Sequence, residues 1–132
     1  MRRPARTLLV ALSVAGLAIS AYLTSVHYES VPLACTASGT VNCTKVLHSS
    51  YAEVAGIPVS AFGLVWFAVM AALALRPAST ALLAWVAVGA LTVLWLVFVE
   101  LFRVDAICLW CTAAHACVLG ILGVVLVEAS TA

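Results

Sequence analysis

Five cysteines stand in this chain of 132 residues, and four of them fall into two pairs. Cys108 and Cys111 form the C-x-x-C of "ICLWC", while Cys35 and Cys43 bracket the loop-like stretch "CTASGTVNC". Only the thiolate attacks a disulfide, and a helix N-terminus, with its free N–H groups and positive dipole end, favours that form. Asp105, a preferred N-cap type, predicts a helix that starts just before the C-x-x-C and sets Cys108 near N3. Residues at i, i+3 and i+7 share a helix face, so Cys108, Cys111 and His115 line one stripe. Cys117 lies nine residues from Cys108, half a turn out of phase at about 100° per residue, and reads as a small buried hydrophobe. Ser38, Gly39 and Thr40 leave the loop pair free either to form a static disulfide or to open and close. Four thiolates with His48 also suit zinc, but a second matching C-x-x-C is missing, and the reading carries no metal.

These groups need a scaffold, and the composition says which kind. The chain is 66% hydrophobic and 8% charged, with a mean hydropathy of +1.23, where soluble domains carry roughly a quarter of charged residues. Polar breaks divide it into four runs, Leu8–His27, Val59–Leu75, Ala81–Phe102 and Ala106–Val127, each near the ~20 apolar residues that cross a bilayer. The expectation is an all-α integral membrane protein, a four-transmembrane-helix bundle over residues 1–132 with a long extracytoplasmic loop between helices 1 and 2. A signal peptide is the weaker reading of "MRRPAR" and its apolar run, because an h-region spans only about 7–15 residues. A net charge of +1 gives no electrostatic footprint for nucleic acid.

Cytoplasmic loops are rich in Lys and Arg, so Arg2, Arg3 and Arg6 hold the N-terminus inside. Four spans then return the C-terminus and the Arg76–Pro77 turn to the same side. Lys45 and Arg103 run against the rule as a minority. Cys35, Cys43, Cys108 and Cys111 all fall outside, in the compartment where disulfides persist. Glu100 and Arg103, three apart at the outer end of the third run, are placed to pair at the membrane interface, a structural role.

The order of features resembles the vitamin K epoxide reductase family in its bacterial form. A first span is followed by a loop with two cysteines (Cys35, Cys43), Ser49 six residues after the second, "PVSAFG" opening the next span, and C-x-x-C (Cys108, Cys111) opening the last. The other four-helix quinone-linked thiol oxidase carries its C-x-x-C in the first outer loop, which this order does not match.

The resemblance implies a quinone, of menaquinone, ubiquinone or vitamin K type, held beside Cys111. Cys35 would exchange with a separate thioredoxin-like, DsbA-like thiol oxidase, Cys43 would relay to Cys108, and Cys111 would meet the quinone as an adduct or charge-transfer contact. Ser49 is either a quinone hydrogen-bond donor or a solvated loop hydroxyl. Phe62 is either a pocket wall or an interfacial aromatic, as is Trp110. His115 stands where animal members carry a tyrosine, and is either a quinone donor or an interior histidine. Val59 stands where they carry an asparagine for the vitamin K head group, which argues against epoxide reduction. The implied function is a quinone-dependent thiol oxidoreductase of the inner or plasma membrane with no fused thioredoxin-like domain. The alternatives are a vitamin K reductase proper and a non-enzymatic membrane protein with one structural disulfide. With the basic residues setting both termini inside, a membrane-impermeant thiol reagent added to reduced, intact cells is expected to label Cys35 and Cys43. Labelling only after the membrane is opened would reverse the topology.

Overall fold

A computed structural model of the chain describes residues 1–29, 47 and 49–131. Among these residues the long helices are α1 (Arg3–Glu29), α2 (Val59–Ala74), α3 (Thr80–Val99) and α4 (Leu109–Thr131). Three are long and apolar enough to cross a membrane: α1, α3 with its continuation to Val104, and α4. The fourth, α2, has 16 residues, a rise of about 24 Å at 1.5 Å per residue against a hydrocarbon core of roughly 30 Å.

Between α1 and α2, a 3₁₀ turn at Ser50–Ala52 leads into the short strands β1 (Glu53–Val54) and β2 (Ile57–Pro58). They pair antiparallel, Glu53 opposite Pro58 and Val54 opposite Ile57. Their two-residue turn has positive φ at both Ala55 (55°) and Gly56 (81°), as a type I′ hairpin turn requires. Pro58 is the N-cap of α2 rather than its first residue, so the hairpin delivers the chain straight into the helix.

Packing follows a helical stripe even though composition scarcely distinguishes the faces. On α1 the buried positions are Ala5, Leu9, Ser13, Gly16, Ser20 and Leu23, at the alternating spacing of three and four that keeps one face turned inward. Small residues on that stripe let backbones approach. A Cβ at Gly16 would lie 2.2 Å from the Phe67 ring of α2, and one at Gly63 of α2 would lie 2.8 Å from Ser20 Oγ. The hydroxyls are satisfied within the bundle, Ser13 donating to the Leu9 carbonyl at 2.7 Å and Thr24 to the Ser20 carbonyl at 2.8 Å and Ser60 Oγ at 3.0 Å. The main core gathers Leu9, Phe67, Met70, Val86, Val93, Val118 and Ile121 from all four helices.

Two interactions fix helix register. Trp66 of α2 and Trp85 of α3 stack at 6.4 Å, 10° from parallel. Each indole N–H donates to the other residue's carbonyl, at 3.1 and 3.0 Å. Gly89 of α3 leaves room for this, since its Cβ would come within 2.3 Å of the Trp66 ring. At the other end of the bundle from the hairpin, Arg2 pairs with Glu128 at 2.8 Å, and both face a recess shared with Ser79 and Thr80. The two ends of the chain and the α2–α3 turn therefore lie together.

Forcing a side chain into a tight helix crossing costs about 1–3 kcal/mol. Gly16→Leu is expected to lower the thermal midpoint of the detergent-solubilised protein. Gly123→Ala, whose Cβ meets nothing within 4 Å, is expected to leave it in place or raise it slightly.

Candidate redox and quinone site

The site is built where α3 ends and α4 begins. After Val99, the chain makes one wide turn, a π-helical segment at Glu100–Val104. The Glu100 carbonyl accepts from Asp105 N–H as that segment's cap and from Ala106 N–H at 3.1 Å. Asp105 sits in the left-handed region (φ 56°, ψ 36°) and ends the π-turn. It is therefore not the N-cap of α4, and Cys108 is not at N3. Asp105 is used to reverse the chain out of the π-turn, and α4 begins three residues later than its side chain suggests.

The N-cap position falls to Cys108. Its carbonyl accepts the first helical bond, from Thr112 N–H at 2.9 Å, as an N-cap carbonyl does. Its sulfur accepts from the N3 backbone, Cys111 N–H to Cys108 Sγ at 3.3 Å, in the place where a serine or aspartate oxygen commonly sits. Thr112 Oγ1 adds a bond to the Cys108 carbonyl at 2.7 Å. Cys108 precedes the α4 span by one residue. Its hydrogen bond to the Cys111 side chain, helped by the backbone N–H groups of Cys111 and Trp110, holds its thiol below the ordinary thiol range, against opposition from burial and from Glu100.

The two sulfurs of the pair face different surroundings. Cys108 is fully buried in a small cluster with Val99, Val104 and Ala106, against which Leu47 and Trp110 pack. Cys111 lies on the wall of a cavity of about 590 Å³ between the helices, within the ~300–1,000 Å³ of small-molecule sites. The walls are mostly apolar, and the polar groups among them include His27, Ser49, Tyr51, Ser60, Glu100 and His115. Val65 and Val88, on facing flanks of α2 and α3, also line it and are more than half exposed on their outer sides. The cavity thus reaches the apolar perimeter of the bundle between those helices.

Of the residues expected to bind or react, the structure brings together Cys108, Cys111, His115, Ser49 and Phe62. His115 is buried and, like Ser49 and the half-exposed Phe62, lines the same cavity as Cys111. Cys35, Cys43 and His48 lie outside the described residues, and with them the loop pair and the zinc alternative. Cys117 is in the main core and lines no part of the cavity, as its helical phase requires. Trp110 packs on Tyr22, ring centroids 5.0 Å apart, rather than on the cavity wall. His27 lines the cavity, and its Nε2 lies 3.3 Å from Glu53 Oε1 of the hairpin.

Glu100 is the residue that sequence reading misplaced. It does not pair with Arg103: the carboxyl is buried at 6% exposure on the cavity wall, and Arg103 is exposed. The wider winding of a π-turn breaks the phase that lets residues three apart meet in an α-helix. The signal was present: Leu82, Val86, Gly89 and Val93, the buried stripe of α3, lie 18, 14, 11 and 7 residues before Glu100, each close to a whole number of 3.6-residue turns.

A C-x-x-C at a helix N-terminus beside an apolar cavity is an arrangement suited to redox chemistry. The comparison with known families agrees, for the chain matches the vitamin K epoxide reductase family over residues 7–126 and belongs to it. Membership supports an oxidoreductase in a membrane, in a family that is quinone-linked in general. The cavity fits such a group by volume, by apolar walls suited to a ring and tail, and by its few polar groups near Cys111.

With Cys35, Cys43 and Cys117 replaced by alanine, the thiolate ultraviolet absorbance of Cys108 is expected to persist to lower pH than that of an ordinary thiol. In a further Cys111→Ala variant the strongest hydrogen bond is gone, and the titration is expected to move to higher pH. An unchanged titration would remove Cys111 as the cause.

Proposed function

We propose that this protein passes electrons from an extracytoplasmic thioredoxin-like thiol oxidase to a membrane quinone, and so keeps that partner oxidised. One observation carries the reading: Cys111 stands in the wall of an apolar cavity that reaches the bundle perimeter, while its partner Cys108 faces away from the cavity under Leu47. One sulfur of the dithiol thus meets a lipid-soluble acceptor, and the other meets the loop side.

In this reading α2, with the hairpin as its flank, is a fourth span, the termini are cytoplasmic, and the cysteines lie outside. Cys35 exchanges with the partner, Cys43 carries the electrons to Cys108, and closure of the Cys108–Cys111 disulfide releases them at the cavity. When bound, the quinone supplies a two-electron, two-proton acceptor. Ser49 and His115 offer hydrogen bonds to its oxygens, and Phe62 offers an aromatic wall. Water is kept from the thiols by the apolar lining and by the cluster around Cys108. Val59 also lines the cavity and brings an isopropyl group where an amide would favour vitamin K epoxide, which supports the quinone acceptor over epoxide reduction.

The test is anaerobic mixing of the purified protein with a reduced thioredoxin-like oxidase and a short-chain quinone, following quinone absorbance. Turnover is expected in the unmodified protein, loss of all measurable turnover in Cys111→Ala, and most of the rate retained in Cys117→Ala. Equal losses from both substitutions would sink the assignment of Cys111 to the acceptor side. No turnover in the unmodified protein with either a benzoquinone or a naphthoquinone would overturn the reading as a whole.

A further inference from the structure

Glu100 is a buried acid in a bundle whose other buried polar side chains are Ser13, Ser20 and His115, as counted among the described residues. An ionisable residue inside a span is costly and is a functional candidate for that reason. Its position is set by the fold: the buried stripe of α3 turns it inward, and the π-turn that begins at Glu100 swings the next charged residue, Arg103, away. The carboxyl lies within reach of the Cys108 backbone N–H and acts electrostatically on both sulfurs of the pair. It shares the cavity wall with Cys111 and His115 of α4, His27 of α1 and Tyr51 of the 3₁₀ turn, the titratable groups on that wall among the described residues. Arg103 is exposed, and among the described residues no ion pair to Glu100 is formed.

The chemistry of the site leaves a gap that such a group fills. Making a quinol from a quinone takes two electrons and two protons, and a dithiol with both protons supplies all four. The Cys108 sulfur accepts the Cys111 N–H at the head of the helix, which favours the thiolate, and in that form the dithiol is one proton short. Among the described residues the buried acid is Glu100.

We infer that Glu100 is the proton donor of the site, delivering into the cavity the proton that Cys108 lacks. The inference rests on the dithiol-to-quinone reading above. The step balances as follows. The S–H bond of Cys111 and the O–H bond of Glu100 break, and the S–S bond between Cys108 and Cys111 forms. The dithiol is oxidised by two electrons, and the quinone takes up those electrons with the two protons as two O–H bonds. The single negative charge that began on Cys108 ends on Glu100, so no net charge is created in the apolar interior, where an isolated charge is expensive. When an incoming thiol reopens the disulfide, Glu100 recovers its proton from the water at the loop end.

The test is a single turnover of the pre-reduced full-length protein in detergent with a short-chain ubiquinone, read by quinone absorbance and by a pH indicator in weakly buffered solution. In the unmodified protein, quinone reduction is expected without proton uptake from solvent. Glu100→Gln keeps the shape of the side chain but has no proton to give. It is expected to slow the step by about a hundredfold, within the span typical of lost acid–base catalysis, with little change in the quinone concentration for half-maximal rate, and to draw a proton from solvent during the step. Glu100→Asp is expected to recover part of the rate and the proton-neutral step, while Arg103→Gln, at an exposed position outside the site, is expected to match the unmodified protein. Redox-difference infrared spectra give a readout that does not depend on rate. A carboxylic-acid carbonyl band should be lost on oxidation in the unmodified protein and be absent from the difference spectrum of Glu100→Gln. If Glu100→Gln reduces quinone at the normal rate with no proton uptake, Glu100 is not the donor, although the quinone reading stands. If the unmodified protein reduces no quinone, both fail.

Discussion

The site depends on one hydrogen bond of unusual kind, from the backbone N–H of Cys111 to the sulfur of Cys108. It makes the reactive sulfur the N-cap of its own helix. The first turn of any helix leaves N–H groups without partners, and in a membrane protein those groups find little water to satisfy them. Here the cap is a sulfur of the C-x-x-C, so one atom both ends the helix cleanly and receives an N–H bond that favours its thiolate. The Thr112 bonds to the Cys108 carbonyl hold the same residue from the other side. This fixes the relative positions of the two sulfurs and which of them turns toward the cavity.

Much of this was legible from residue types and spacing. Cys111 and His115 on one face, Cys117 on another, and the alternation of apolar runs with polar breaks all follow from the period of a helix, and the structure keeps them, while Cys108, standing before the helix as its cap, leaves the stripe expected of it. The start of α4 was not legible, because Asp105 is by type a better cap than Cys108. Only the π-turn, which uses Asp105 in a left-handed conformation, shows why the cap passes on. No local composition marks a π-turn. For the same reason the pairing of Glu100 with Arg103 follows from α-helical spacing and fails in this backbone. The bounds of α2 were legible, since the apolar run Val59–Leu75 meets the helix Val59–Ala74 to within one residue.

A deeper reason limits sequence reading here. In a soluble protein the buried stripe is apolar and the rest polar, so the inside announces itself. In this chain both sides of α3 and α4 are apolar, because one meets protein and the other the surroundings of the bundle. What separates the two faces is size and polarity at single positions, such as Gly89, Gly16, Ser13 and Glu100. These are the residues at which helices come close or a polar group is held, and they are visible only once the phase of each helix is known.

The paired indoles of Trp66 and Trp85 carry a consequence of a mechanical kind. Tryptophan in membrane proteins often marks the headgroup level, with its N–H turned to water. Here each N–H is spent on the backbone of the neighbouring helix, and the bonds run in opposite directions. Sliding α2 along α3 would carry both indoles off their acceptors. The two helices are therefore locked in axial register by their side chains while the flanks at Val65 and Val88 stay open, and the site keeps a fixed depth beside a slot that leads to its surroundings.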